Sequence, residues 1–151
     1  MQELFGLEGK RILVLGGGQG MGEATSTLIA SLGAHVVVCD RELERAETVA
    51  SAITASGGTA IALSFDVLSD DALVAGIAEA QKLAGQLDGM ATVIGMAGWS
   101  TLLDMDMALW DEDQARNLRY FFLAAREVAR SLIARDAPGS IVCVSSVDGM
   151  R

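Results

Sequence analysis

Residues 11–40 read RILVLGGGQGMGEATSTLIASLGAHVVVCD, and this stretch decides the fold. Ile12–Leu15 is a short apolar run of the kind buried on both faces in a parallel sheet. Gly16 to Gly22 carries too many glycines for regular structure. From Met21 onward Ala24, Leu28 and Leu32 recur at helical spacing, with Thr25 and Ile29 alongside, and Gly33 supplies a stop. Val36–Cys39 is a second buried strand, closed by Asp40. Strand, glycine turn, helix, strand and acid together make a βαβ unit.

Working outward, the same alternation continues. Glu42–Ser56 reads as a helix with Ala46, Val49, Ala50 and Ile53 on its inner stripe. Thr59–Phe65 is a third strand. Ser69 is a candidate N-cap, with Asp70 and Asp71 at the positive end of a helix running to about Leu83. Met90–Ile94 is a fourth strand, Leu109–Arg135 a long helix and Ser140–Val144 a fifth strand. Right-handed crossovers then give an α/β fold, a doubly wound parallel sheet (Rossmann fold) of order 3-2-1-4-5, read as one domain over residues 1–151. The sheet is expected to be incomplete on its C-terminal side.

Composition narrows the function classes. A net charge of −9 argues against nucleic-acid or anionic-membrane surfaces, which require a basic face. No apolar run approaches a membrane span, and the first residues lack a secretory layout. Cys39 and Cys143 lie in apolar strand-like runs, as buried free thiols of a reducing, cytoplasmic protein do. Neither they nor His35 has metal-ligand company, so no metal site is expected. In the long helix Tyr120, Phe121, Phe122 and Leu123 are consecutive, so at about 100° per residue they spread around the circumference. Deep burial in one domain explains this, and so does a second face docking on another copy; the reading favours a homo-oligomer through the 109–135 helix.

The glycine turn carries the first chemistry. Residues without Cβ let the backbone approach a pyrophosphate, and the N–H groups opening the next helix face the anion. Gly16, Gly18, Gln19, Gly20, Met21 and Gly22 are therefore the candidate dinucleotide contacts. Asp40 suits both hydroxyls of an adenosine ribose and repels a 2′-phosphate, which favours NAD over NADP. Arg41 beside it pulls the other way, since a guanidinium pairs with phosphate. Capping the helix at Glu42 is the alternative role for Asp40. Asp66, ending the third strand, suits the adenine amino group, with Val67 against the ring; an ordinary turn acid is the alternative.

From about Gly6 onward the chain resembles the short-chain dehydrogenase/reductase family. Its TGxxxGxG motif aligns with Leu15–Gly22, matching Gly16, Gly20 and Gly22, with Leu15 replacing the Thr. Asp66-Val67 resembles the family's adenine pair. The family's NNAG aligns with Gly95-Met96-Ala97-Gly98, keeping the last two residues and losing both asparagines. The resemblance implies that Met96, Ala97 and Gly98 approach the nicotinamide-side ribose. Trp110-Asp111 followed by Asn117 resembles the WDxxxxxN setting, which implies that Asn117 holds a water of the proton relay. Ser140–Gly149 resembles the strand ending in SSxxG, which makes Ser146 the catalytic serine that orients a substrate oxygen.

The family's YxxxK pair is not within these 151 residues. The lone Tyr120 has Ala124 where the Lys would stand. The reading is therefore the first part of a longer NAD(P)-dependent alcohol dehydrogenase or ketoreductase, inactive as these residues alone. The alternatives are a non-catalytic dinucleotide-binding or sensing module and a structural domain. The expected substrate is a small alcohol or ketone, hydrophobic to judge from Trp99, Leu102, Leu103, Met105 and Met107.

Overall fold

The structure, a computed structural model, describes residues 5–146. Val147 to Gly149, the close of the SSxxG motif, lie outside the described residues. Five strands, β1 (Arg11–Leu15), β2 (His35–Asp40), β3 (Thr59–Ser64), β4 (Gly89–Thr92) and β5 (Ser140–Cys143), form one sheet. All neighbours pair in parallel, in the order β3-β2-β1-β4-β5. The expected topology is observed. Leu63, Cys39, Leu15, Thr92 and Cys143 share one register row at the carboxyl end of the sheet, and the loops beyond that row build the site.

Side chains alternate across the strands, so each face has its own core. Val14, Val36 and Val38 point to one side, against Ala46, Val49, Ala50 and Ile53 of α2 (Leu43–Ala55) and Ala30 of α1 (Gly20–Ser31). Leu13, Leu15, Val37 and Cys39 point to the other. There they meet Leu73 and Ile77 of α3 (Asp70–Ala84) and Tyr120, Ala124 and Val128 of a helix described below. The inner stripe expected for α2 is the buried one. Ser69 caps α3 as expected, its hydroxyl accepting the Ala72 N–H at 3.3 Å.

Two expectations are corrected. The buried face of α1 is Gly22, Ser26 and Ala30, while Leu28 is 60% exposed. Close approach rather than hydrophobicity selects that face: the Ser26 hydroxyl lies against the Gly17 carbonyl, and a Cβ on Gly22 would stand 1.8 Å from the Gly16 oxygen. The long helix is a composite rod of α4 (Met107–Gln114), a π-turn at Ala115–Arg119 and α5 (Tyr120–Ala134). Its four consecutive apolar residues divide: Tyr120 and Leu123 are buried, Phe121 is half-buried and Phe122 is exposed.

Candidate functional site

A cavity of about 540 Å³ opens beyond the carboxyl ends of β1 to β4. Its floor is the glycine turn. Gly16 has φ +78° and its missing side chain leaves room for Val93 and Ile94, whose atoms a Cβ would meet at 2.7–3.0 Å. Gln19, the residue before α1, is extended and makes no side-chain cap, so the first N–H groups of α1 face the cavity without a side-chain partner. Gly16, Gln19, Gly20, Met21 and Gly22 line this wall. Gly18 lies behind it, where its N–H donates to Asp40 Oδ2 at 3.2 Å.

Asp40 is 9% exposed and its carboxylate is fixed from two sides. Besides Gly18, the Glu42 N–H donates to Oδ1 at 3.1 Å, a turn contact just before α2 that coexists with a place on the cavity wall. Asp66 behaves alike: its Oδ1 accepts the Leu68 N–H at 2.9 Å, a turn contact, while Asp66, Val67 and Leu68 line the cavity. Arg41 lines it too and pairs with Glu42 at 3.5 Å.

Two cavity residues carried no sequence signal. Arg45 sits one helical turn after Arg41, and Arg116 projects from the π-turn with its side chain only 21% exposed, paired to Glu112. A chain of net charge −9 thus gathers Arg41, Arg45 and Arg116 around one cavity that holds Asp40 and Asp66. Arg41 and Arg116 are paired with Glu42 and Glu112, which leaves Arg45 as the lining cation best placed to meet an anionic ligand. Periodicity could not reveal Arg116, because only the π-turn fixes its direction.

At the far end the structure redraws the 95–98 segment. Strand β4 stops at Thr92, and the Val93 N–H still donates to the Leu15 carbonyl at 2.9 Å. Val93, Ile94, Gly95 and Met96 line the cavity, whereas Ala97 and Gly98 are not among its lining residues. The backbone ledge facing the glycine turn therefore begins earlier than the expected Met96–Gly98. A four-residue glycine-and-alanine string invites alignment by composition, but the register of β4 on β1 decides which part reaches the site.

Asn117 is exposed, yet its side-chain amide is engaged with backbone. Its Oδ1 accepts the Met96 N–H at 3.1 Å, and its Nδ2 donates to the Met96 carbonyl at 2.8 Å and to the Asp113 carbonyl at 2.9 Å. Both amide hydrogens are therefore committed to backbone. Asp113 accepts the Gly98 N–H on both oxygens, at 2.8 and 3.1 Å. The Tyr120 hydroxyl donates to the Ile94 carbonyl at 3.0 Å. Burial pushes the Tyr120 phenol above its ordinary value of 10, against the pull of the neighbouring Thr92 hydroxyl and the Ile94 carbonyl. Ser146 lies exposed just beyond β5, on the site's end of the sheet, outside the cavity lining.

Both cysteines are free; Cys39 is buried and Cys143 only half-buried. Burial pushes the Cys39 thiol up to about 12. Among the described residues no cluster of three or more His, Cys, Asp or Glu side chains is arranged to hold a metal. No described helix is long and apolar enough to cross a membrane.

The chain matches the family model described as short chain dehydrogenase over residues 10–151. It is 32% identical over 145 residues to gluconate 5-dehydrogenase of Gluconobacter oxydans, covering 96% of this chain and 56% of that one. It is 31% identical to 2-(S)-hydroxypropyl-CoM dehydrogenase 3 of Xanthobacter autotrophicus, covering 95% and 56%. Among solved structures, a short-chain type dehydrogenase/reductase from Mycobacterium marinum superposes with a TM-score of 0.93 at 28% identity, over 99% of this chain and 60% of that one. A 7α-hydroxysteroid dehydrogenase complexed with NADH and 7-oxo glycochenodeoxycholic acid gives 0.91 at 29% identity, covering 96% and 56%. The chain spans about half the length of the curated relatives it matches.

Proposed function

The chain belongs to the short-chain dehydrogenase family, and from that membership we propose that it holds a nicotinamide dinucleotide along the carboxyl end of its sheet, as the cofactor part of an oxidoreductase for alcohols and ketones. The observation that carries this reading is one continuous cavity running from Asp40 and Asp66, past the side-chain-free glycine turn, to the Val93–Met96 ledge. The cradle fits the group: a Cβ on Gly22 or Gly16 would collide with Gly16 or with Val93 and Ile94, so the tight turn that opens α1 toward the cavity needs glycine at both. When bound, the nicotinamide supplies the hydride exchange with a carbinol carbon.

The chain's residues divide the remaining work. The N–H groups opening α1 meet the pyrophosphate, with Arg45 and Arg116 adding positive charge nearby. Asp40, already held by Gly18 and Glu42, turns its remaining acceptor capacity to the ribose hydroxyls, which favours NAD over NADP. Asp66 and Val67 take the adenine. Ser146 orients the substrate oxygen, and Asn117 supports the relay by fixing the Met96 peptide. The exposed Trp99, Leu102, Leu103 and Met107 suit an apolar substrate. Leu118, Phe122 and Ile133, all exposed along one stripe of the rod, suit packing of a second copy. Free thiols, one of them buried, suit a reducing cytoplasmic setting.

The test is titration of the native full-length polypeptide with NADH and NADPH, followed by fluorescence. NADH is expected to bind more tightly, and Asp40→Ala is expected to erase most of that preference. Binding of neither dinucleotide would remove the reading, and a preference untouched by Asp40→Ala would take Asp40 off the ribose.

A further inference from the structure

Ile94, Met96 and Gly98 are alternate residues of one extended segment, and each gives a backbone polar group to a side chain of the same rod. Tyr120 holds the Ile94 carbonyl, Asn117 holds both polar groups of Met96, and Asp113 holds the Gly98 N–H. The three side chains stand at i, i+4 and i+7 across the π-turn, and their bonds to one segment place them on one face of the rod. Alternate residues of an extended chain are about 6.6 Å apart. Helical residues three and four apart are about 4.5 and 6 Å apart along the axis. The rod thus runs antiparallel to the segment and meets it in step, with the long tyrosine covering the shortfall. Past Thr92 the segment has left the sheet, so these side chains replace the ladder that a neighbouring strand would provide.

We propose that Asp113 and Tyr120 are positioning residues for the nicotinamide half of the cofactor site, acting with Asn117 to fix the Ile94–Gly98 segment, whose Ile94–Met96 part lines the cavity and whose Gly98 is its outer anchor. This rests on the dinucleotide reading given above. Two observations give the pair its weight. The Asp113 carboxylate spends both oxygens on a single N–H, a charge-assisted bond stronger than a neutral one. Tyr120 is 1% exposed, and its phenol is the only side-chain donor recorded on the Ile94 carbonyl among the described residues. Among the described residues, no hydrogen bond joins the rod to Asp40 or Asp66 at the adenosine end. A loosened ledge should therefore be felt at one end of the ligand only.

The experiment titrates the native full-length polypeptide, wild type and the variants Asp113→Ala, Asp113→Asn and Tyr120→Phe, with NADH and separately with ADP-ribose, which lacks the nicotinamide. Loss of a hydrogen bond involving a charged or buried group predicts roughly tenfold weaker NADH binding for Asp113→Ala and Tyr120→Phe. ADP-ribose affinity should stay unchanged, and the blue shift of bound NADH emission should shrink. Asp113→Asn, whose amide oxygen still accepts the Gly98 N–H, should recover most of the NADH affinity. Equal losses for both ligands, or no loss for either, would overturn the positioning role. A wild type that binds neither ligand would overturn the dinucleotide reading itself.

Discussion

The two ends of the cavity bring backbone close to a ligand by opposite means. At the glycine turn side chains are removed: Gly16, Gly18 and Gly22 each lack the space for a Cβ, and the loop is held by packing and by Asp40. At the Ile94–Gly98 ledge side chains are supplied from afar, and Asp113, Asn117 and Tyr120 tie down a segment that has left the sheet. The first solution is written in consecutive residues. The second is spread over residues 15–26 positions away in the chain. A site built by subtraction tolerates nothing added, whereas one built by addition tolerates nothing removed.

Substitutions at the two ends test that contrast. Gly22→Ala is expected to have the largest effect, because its Cβ would meet the Gly16 oxygen and the helix must move away from the loop. A cost of about 3 kcal/mol or more, at the upper end of overpacking, should appear in denaturant unfolding, with ADP-ribose binding lost. A tolerated Gly22→Ala would show that the turn is not as tight as its geometry says.

Tyr120→Phe comes next, at about 1–2 kcal/mol, since it leaves the half-buried Ile94 carbonyl without its donor. It also carries a pH signature, because Tyr120 is the only tyrosine. Burial raises the folded pKa above 10, so above that pH the unfolded chain releases the proton while the folded chain keeps it. Stability contributed by the neutral phenol is therefore intact below pH 10 and declines as pH rises through the folded pKa. Buried Cys39, its thiol pushed up to about 12, adds a slope of the same sign, so stability measured from pH 9 to 11 should fall in both proteins and less steeply in the variant.

Gly95→Ala should have the smallest effect. Gly95 lies on the ledge, its φ is not positive, and an added Cβ would meet only Asn117 Oδ1, at 3.3 Å. A change within about 0.5 kcal/mol is expected from thermal unfolding. A loss comparable to that of Gly22→Ala would erase the distinction between the two ends.

Strand order, the stripe of α2 and the Ser69 cap were legible because each depends on local pattern: period two, period three to four, or one capping residue. The face of α1 was misread because a hydrophobic stripe competes poorly with backbone contact, and small residues such as Gly22 and Ser26 carry no hydropathy signal. Asn117 was found through its resemblance to a motif, but its partner, the Met96 peptide, is invisible until β4 is placed against β1. Asp113, Arg45 and Arg116 read as ordinary solvent-facing helix charges. Only the tertiary course of the rod, shifted by its π-turn, aims Arg116 at the cavity and Asp113 at Gly98.

Cys39, on the cavity wall beside Asp40, has a further use. It is 1% exposed in β2, bonded on both sides by β1 and β3, and its thiol is held near a pKa of 12. A thiol so placed, at the carboxyl end of the sheet and against the cavity, reacts when that end of the sheet loosens. Its modification rate by a small disulfide reagent is therefore a clock for that opening, readable without an added dye or a mutation. Half-buried Cys143, near the sheet's other edge, supplies a second and earlier hand on the same dial.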